Sequence, residues 1–65
     1  MTATVQSGDR VALVFTSDPY TKLQPGELGT VAFVDDTGTV HVKWDAGDHL
    51  GLVPGVDRFR VVAKA

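Results

Sequence analysis

The sequence predicts an all-β fold of five short strands, and three observations predict it. Five β-rich runs, each bounded by Gly, Pro or Asp, fall near residues 9–15, 28–34, 39–44, 49–53 and 58–62. No segment places apolar residues at the i, i+3, i+4, i+7 spacing of an amphipathic helix. Runs two and three, joined through Asp35-Asp36-Thr37-Gly38, agree on one apolar face when folded against each other as a hairpin.

The first run, Asp9 to Phe15, alternates so that Val11, Leu13 and Phe15 share a face and Arg10 points to water. A four-residue loop, 35–38, with Gly38 left-handed pairs Val34 with Thr39. The same register sets Phe33 against Val40, Val31 against Val42 and Gly29 against Trp44. Gly29 then lacks a side chain where the indole needs room. After the third run, a three-residue loop Asp45-Ala46-Gly47 with Gly47 left-handed pairs Val42 with Leu50 and Val40 with Leu52. A longer loop would turn both leucines outward, so the hydrophobic pattern selects the shorter one.

The longest connection, Thr16 to Glu27, carries turn signals at Asp18-Pro19 and Pro25-Gly26 and is too long for a tight hairpin. Leu23 is positioned to plug one open end of the core. Pro54-Gly55-Val56-Asp57 is expected to form a short turn, either a plain turn or one turn of 3₁₀ helix, before Phe59 and Val61 enter the core. Long loop, three-strand meander, brief turn and final strand is the order of an SH3-like barrel. Pairing of the first and last strands would close most of it. This assigns residues 9–65 to the barrel and 1–8 to a short N-terminal extension.

Composition bounds what such a domain can be. With 65 residues, 43% hydrophobic and 22% charged, the chain supports one small core, and a fold of this size buries only about 60% of its unfolded surface. No cysteine is present to add a disulfide or thiolate site. The formal net charge of −2 gives no general attraction to phosphate backbones. No basic start leads into an apolar run, and no stretch nears the roughly 20 apolar residues of a membrane span, so a cytoplasmic protein without membrane contact is expected.

Almost the whole chain carries a further signal, in Gly8-Asp-Arg-Val11, Ser17 to Leu23, Gly26-Glu-Leu-Gly-Thr-Val31, Asp35 to Asp45 and Leu52 to Asp57. These segments resemble a family of short, uncharacterised SH3-like domains. The resemblance implies occurrence in bacteria and in phages or other mobile elements, and brings no established activity. More distantly, Gly26-x-x-Gly29-x-Val31 is similar to the glycine pattern of KOW modules, which bind nucleic acid or ribosomal and transcription proteins. Val42-x-Trp44-Asp45-x-Gly47 is similar to SH3-like domains of ubiquitin ligases that recognise peptides. Both patterns also follow from hairpin geometry alone. Peptide-binding SH3 domains open their third strand with the groove tryptophan, whereas Trp44 closes this one.

Residue chemistry points to binding rather than catalysis. Asp35, Asp36, Asp45 and Asp48 lie in or beside turns, where a carboxylate accepts backbone N–H groups, and none follows calcium-loop spacing. His41 and His49 face outward on neighbouring strands without an evident third ligand, so no metal or other cofactor is expected. Ser7, Ser17 and the threonines have no oriented base beside them, and a barrel this small shelters little volume for a reaction.

The expected activity is that of a small non-enzymatic protein-binding or adaptor module. Its partner-binding residues are Tyr20, Trp44 and Pro54, with Asp18 in the long loop and His41 on the outer face. Around His41, the small or apolar Ala32, Val34, Gly51 and Val53 offer a face for self-association or a partner. The alternatives are a KOW-like nucleic-acid interface along Arg10, Arg58 and Arg60, and a structural homo-oligomer.

Overall fold

The computed structural model describes residues 5–17 and 20–65. Its strands are β1 (Arg10–Phe15), β2 (Leu28–Val34), β3 (Val40–Trp44), β4 (Gly51–Leu52) and β5 (Arg58–Ala63). They form one antiparallel sheet in the order β4-β3-β2-β1-β5, with no helix among the described residues. The sheet is not closed into the expected barrel. Closure fails at β4, where the backbone beyond Leu52 is already committed: the Val53 carbonyl accepts the amides of Val56 and Asp57, and the Val53 amide donates to Asp57 Oδ2. The fourth strand is correspondingly much shorter than residues 49–53.

The core explains the register. Val11, Leu13, Val31, Val40, Val42, Trp44 and Leu52 project from the strands into one buried cluster, and Leu23 reaches it from the long loop as expected. Val5, Leu50, Phe59 and Val61 pack around it, half-buried. With no second layer among the described residues, this burial requires the twisted sheet to coil around its own apolar face. The first and last strands pair, Gly29 opposes Trp44 and Val31 opposes Val42. Val40 opposes Leu52, and Gly38 and Gly47 both adopt positive φ.

Two aromatic residues depart from the alternation. Asp35 joins the β2–β3 ladder, donating its amide to the Thr39 carbonyl, so the loop shortens to 36–38. Its carboxylate accepts from the Thr37 amide, the Thr37 hydroxyl and the Thr39 amide, which fixes the tighter turn. Shortening the loop by one residue shifts the pairing, and a β-bulge at Ala32 restores the Val31–Val42 register. Phe33 is thereby turned outward beside His41 and is 53% exposed, rather than buried opposite Val40. A second irregularity between Leu13 and Phe15 likewise puts Phe15 outside, at 52% exposure.

The Pro54–Asp57 segment forms the expected short turn, but as a plain turn and not as 3₁₀ helix. Gly55 has φ of +85°, outside the helical region, and Val56 N bonds Val53 O at 3.1 Å. Proline followed by a left-handed glycine is the chemistry of a type II turn.

Two carboxylates lie inside the structure. Asp57 accepts from the Thr16 hydroxyl, the Ser17 amide and hydroxyl, and the Val53 amide, binding the start of the long loop to the turn before β5. Burial alone would raise its pKa, but these donors outweigh burial and hold it below the ordinary carboxylate value. Asp9 accepts from the Gln6 and Ala65 amides and the Lys64 ammonium, tying residues near both ends together. The Gln6 amide first, then Lys64 and the Ala65 amide, lower its pKa from 3.8 to about 2.

Both shifts have the same sign and a measurable consequence. A depressed carboxyl pKa means the unfolded chain binds more protons than the native one between the two values, so stability rises with pH there. The stabilisation is fully present above pH 3.8 and lost as pH falls toward about 2. The urea midpoint is expected to fall across that interval, and Asp9→Asn is expected to flatten the fall. An equally steep profile in the variant would remove Asp9 from the explanation.

Candidate binding surfaces

Tyr20 is the most exposed large apolar residue, at 91%. It forms one lip of a shallow open groove of about 410 Å³ together with Thr21, Lys22, Asp48, His49 and Leu50. The long loop presents Tyr20 here because Leu23, three residues on, is held in the core. The β3–β4 turn supplies the opposite wall. Asp18 lies outside the described residues.

Trp44 does not share this surface. It is 2% exposed, packed over Gly29, and its Nε1 donates to the Leu50 carbonyl at 3.0 Å. With its polar edge satisfied, the indole can sink completely into the core. The expectation that Trp44 meets a partner is therefore corrected: it is interior. Pro54 is exposed but lines a different groove, of about 480 Å³, with Val14, Gly55, Asp57, Arg58 and Phe59. Tyr20, Trp44 and Pro54 thus do not form one continuous site.

His41 is on the outer face, half-buried. Phe33 stacks on it, with ring centroids 4.3 Å apart and planes 11° from parallel, and Asp35 Oδ2 lies 2.9 Å from its Nε2. The Thr37 hydroxyl, then His41, then the loop amides hold the Asp35 carboxyl far below the ordinary range. Gly51 opposes His41 across the sheet, as the sequence pairing implied. Phe33 was missing from that expectation because the bulge that exposes it has no local sequence signature.

The three arginines are not equivalent. Arg10 reaches across β2 to Asp45, making two bonds of 2.8 and 2.6 Å, and also donates to the Thr30 hydroxyl. This pairing raises the Arg10 pKa and lowers that of Asp45, and it removes Arg10 from a phosphate-tracking stripe. Arg58 and Arg60 are exposed on β5. The hydroxyls of Thr16 and Ser17 are occupied by Asp57, and no cluster of three metal-ligating side chains occurs among the described residues.

Sequence reasoning treated Asp9 and Asp57 only as flanking charges. The partners that make them clamps across the fold, Thr16 and Ser17 for Asp57 and Lys64 and Ala65 for Asp9, lie 40 to 56 positions away, beyond any local pattern.

The model of a family described as Domain of unknown function (DUF4314) matches residues 1–62. No curated protein and no solved structure matches the chain.

Proposed function

The chain belongs to the Domain of unknown function (DUF4314) family, and from that premise we propose that it is a small, non-enzymatic protein-binding module of SH3-like type. Exposed aromatic surface carries the reading. Of five aromatic residues, only Trp44 is fully buried, while Tyr20, Phe33 and Phe15 are each more than half exposed. A domain this small gains from every apolar side chain it can bury, and aromatic residues are enriched in protein contacts. The order of long loop, meander, turn and last strand supports the SH3-like assignment.

Tyr20 is the anchor of the leading surface. Tyr20 and Leu50 line the same groove, with Lys22, Asp48 and His49 forming a polar rim, an arrangement suited to a protein side chain entering it. Tyr20→Ala is expected to change the unfolding free energy measured in urea by no more than about 0.5 kcal/mol. It should reduce recovery of a partner by affinity capture from the source cell's lysate. Equal recovery by parent and variant would discard this surface. Engagement of Arg10 by Asp45 counts against the nucleic-acid alternative.

A further inference from the structure

The sheet ends on one side in β5, and among the described residues that edge is open. β5 pairs with β1 alone, and among the described residues no other backbone hydrogen bond reaches it. An unpaired strand of six residues presents alternating N–H and C=O groups on which another extended chain can form a ladder. The other edge is unsuited, because β4 has two residues and Val53 is occupied by the following turn.

The side chains along β5 add a charge preference. Phe59 and Val61 pack toward the core, and Arg58 and Arg60 alternate with them on the exposed side. Among the described residues, ion pairs involve Arg10, His41 and Lys64, and neither Arg58 nor Arg60 takes part in one. Their neighbour Asp57 is turned inward and bound by its own donors. At the head of the strand, the groove walled by Val14, Pro54 and Phe59 has room for an apolar side chain.

We propose that the free edge of β5 takes up an extended acidic segment of a partner protein as an added strand. Alternate carboxylates of that segment face Arg58 and Arg60, and one apolar side chain enters the groove beside Pro54. This surface is separate from the Tyr20 groove. A second copy of the chain is the poorer occupant: pairing two β5 strands about Phe59 sets Arg58 of each against Arg60 of the other. The irregular register at Val62 further disrupts self-pairing along the rest of the edge.

An amide NMR titration of the full chain tests this with a synthetic peptide of alternating Glu and Val. Controls are an alternating Lys and Val peptide, the Glu and Val peptide N-methylated at every second residue, and oligouridylate. Shifts and slowed amide exchange are expected in β5 and near Val14 and Gly55. Arg58→Ala with Arg60→Ala should weaken binding about tenfold, Lys at both positions should retain it, and N-methylation should abolish it. Both arginines are exposed, and amide dispersion verifies that the variants fold.

Silence of the β5 amides at millimolar peptide overturns the proposal. So does equal binding of the Lys peptide, undiminished binding of the methylated peptide, or binding of oligouridylate alone. A response confined to residues 20–22 and 48–50 overturns it too, while supporting the Tyr20 groove.

Discussion

Trp44→Ala is expected to remove about a third or more of the stability of the chain, and to unfold it in water if the total lies at the low end of the range for its size. A buried Trp-to-Ala change costs about 3–5 kcal/mol, and a domain of this length has a total stability of about 3–10 kcal/mol. The lost ring touches the centre of the core, and the Leu50 carbonyl simultaneously loses its indole donor. Urea denaturation followed by far-ultraviolet circular dichroism measures the effect. Trp44→Phe keeps most of the apolar volume and should remain folded at reduced stability. A Trp44→Ala variant with native amide dispersion and an unchanged midpoint would show that the indole is not the keystone of the core.

Gly29→Ala should be nearly as damaging, for the complementary reason. A Cβ at Gly29 would lie 2.6 Å from Val42 Cγ1, 2.9 Å from Trp44 Cε3 and 3.0 Å from the Lys43 carbonyl oxygen. The last is backbone and the first two belong to packed core residues, so nothing nearby can yield cheaply. Overpacking of this kind costs about 1–3 kcal/mol, and the contact with backbone puts this site near the top of that range. Gly51→Ala is the natural comparison, because its new methyl would meet Thr39 Cγ2 at 3.2 Å, on a half-exposed side chain. Similar urea midpoints for both variants would refute the steric account of Gly29.

The pairing of Gly29 with Trp44 was legible in the sequence because parity is a strong constraint. A one-residue slip would have exposed Val31 and Val42 together, so only one register satisfied both strands. The loop ending in Gly47 was legible for the same reason, through Leu50 and Leu52. Leu23 could be placed because it is the one large aliphatic residue of the connection from Thr16 to Glu27. Phe15 and Phe33 were misplaced because a bulge adds a residue without changing composition, and strict alternation cannot anticipate it.

The candidate site was less legible than the fold. Tyr20 was recognisable as a loop aromatic, but Trp44 was assigned to the same surface although its pairing with Gly29 already pointed it inward. What completed its burial was an acceptor on Leu50, a tertiary contact. Arg10 illustrates the same difficulty: its partner Asp45 is 35 residues away, brought close only by the β1–β2–β3 pairing. The open edge of β5 followed from the turn at Val53 and from where the ladder stops.

Asp57 and Leu23 fix the long loop at two feet, one on each side of Tyr20. One foot is Ser17, bonded to a carboxylate set in the last turn; the other is an aliphatic anchor sunk beneath the strands. Neither foot uses the Tyr20 side chain, so chemistry at that lip can change while both anchors stay in place, much as an interchangeable tip serves a common handle.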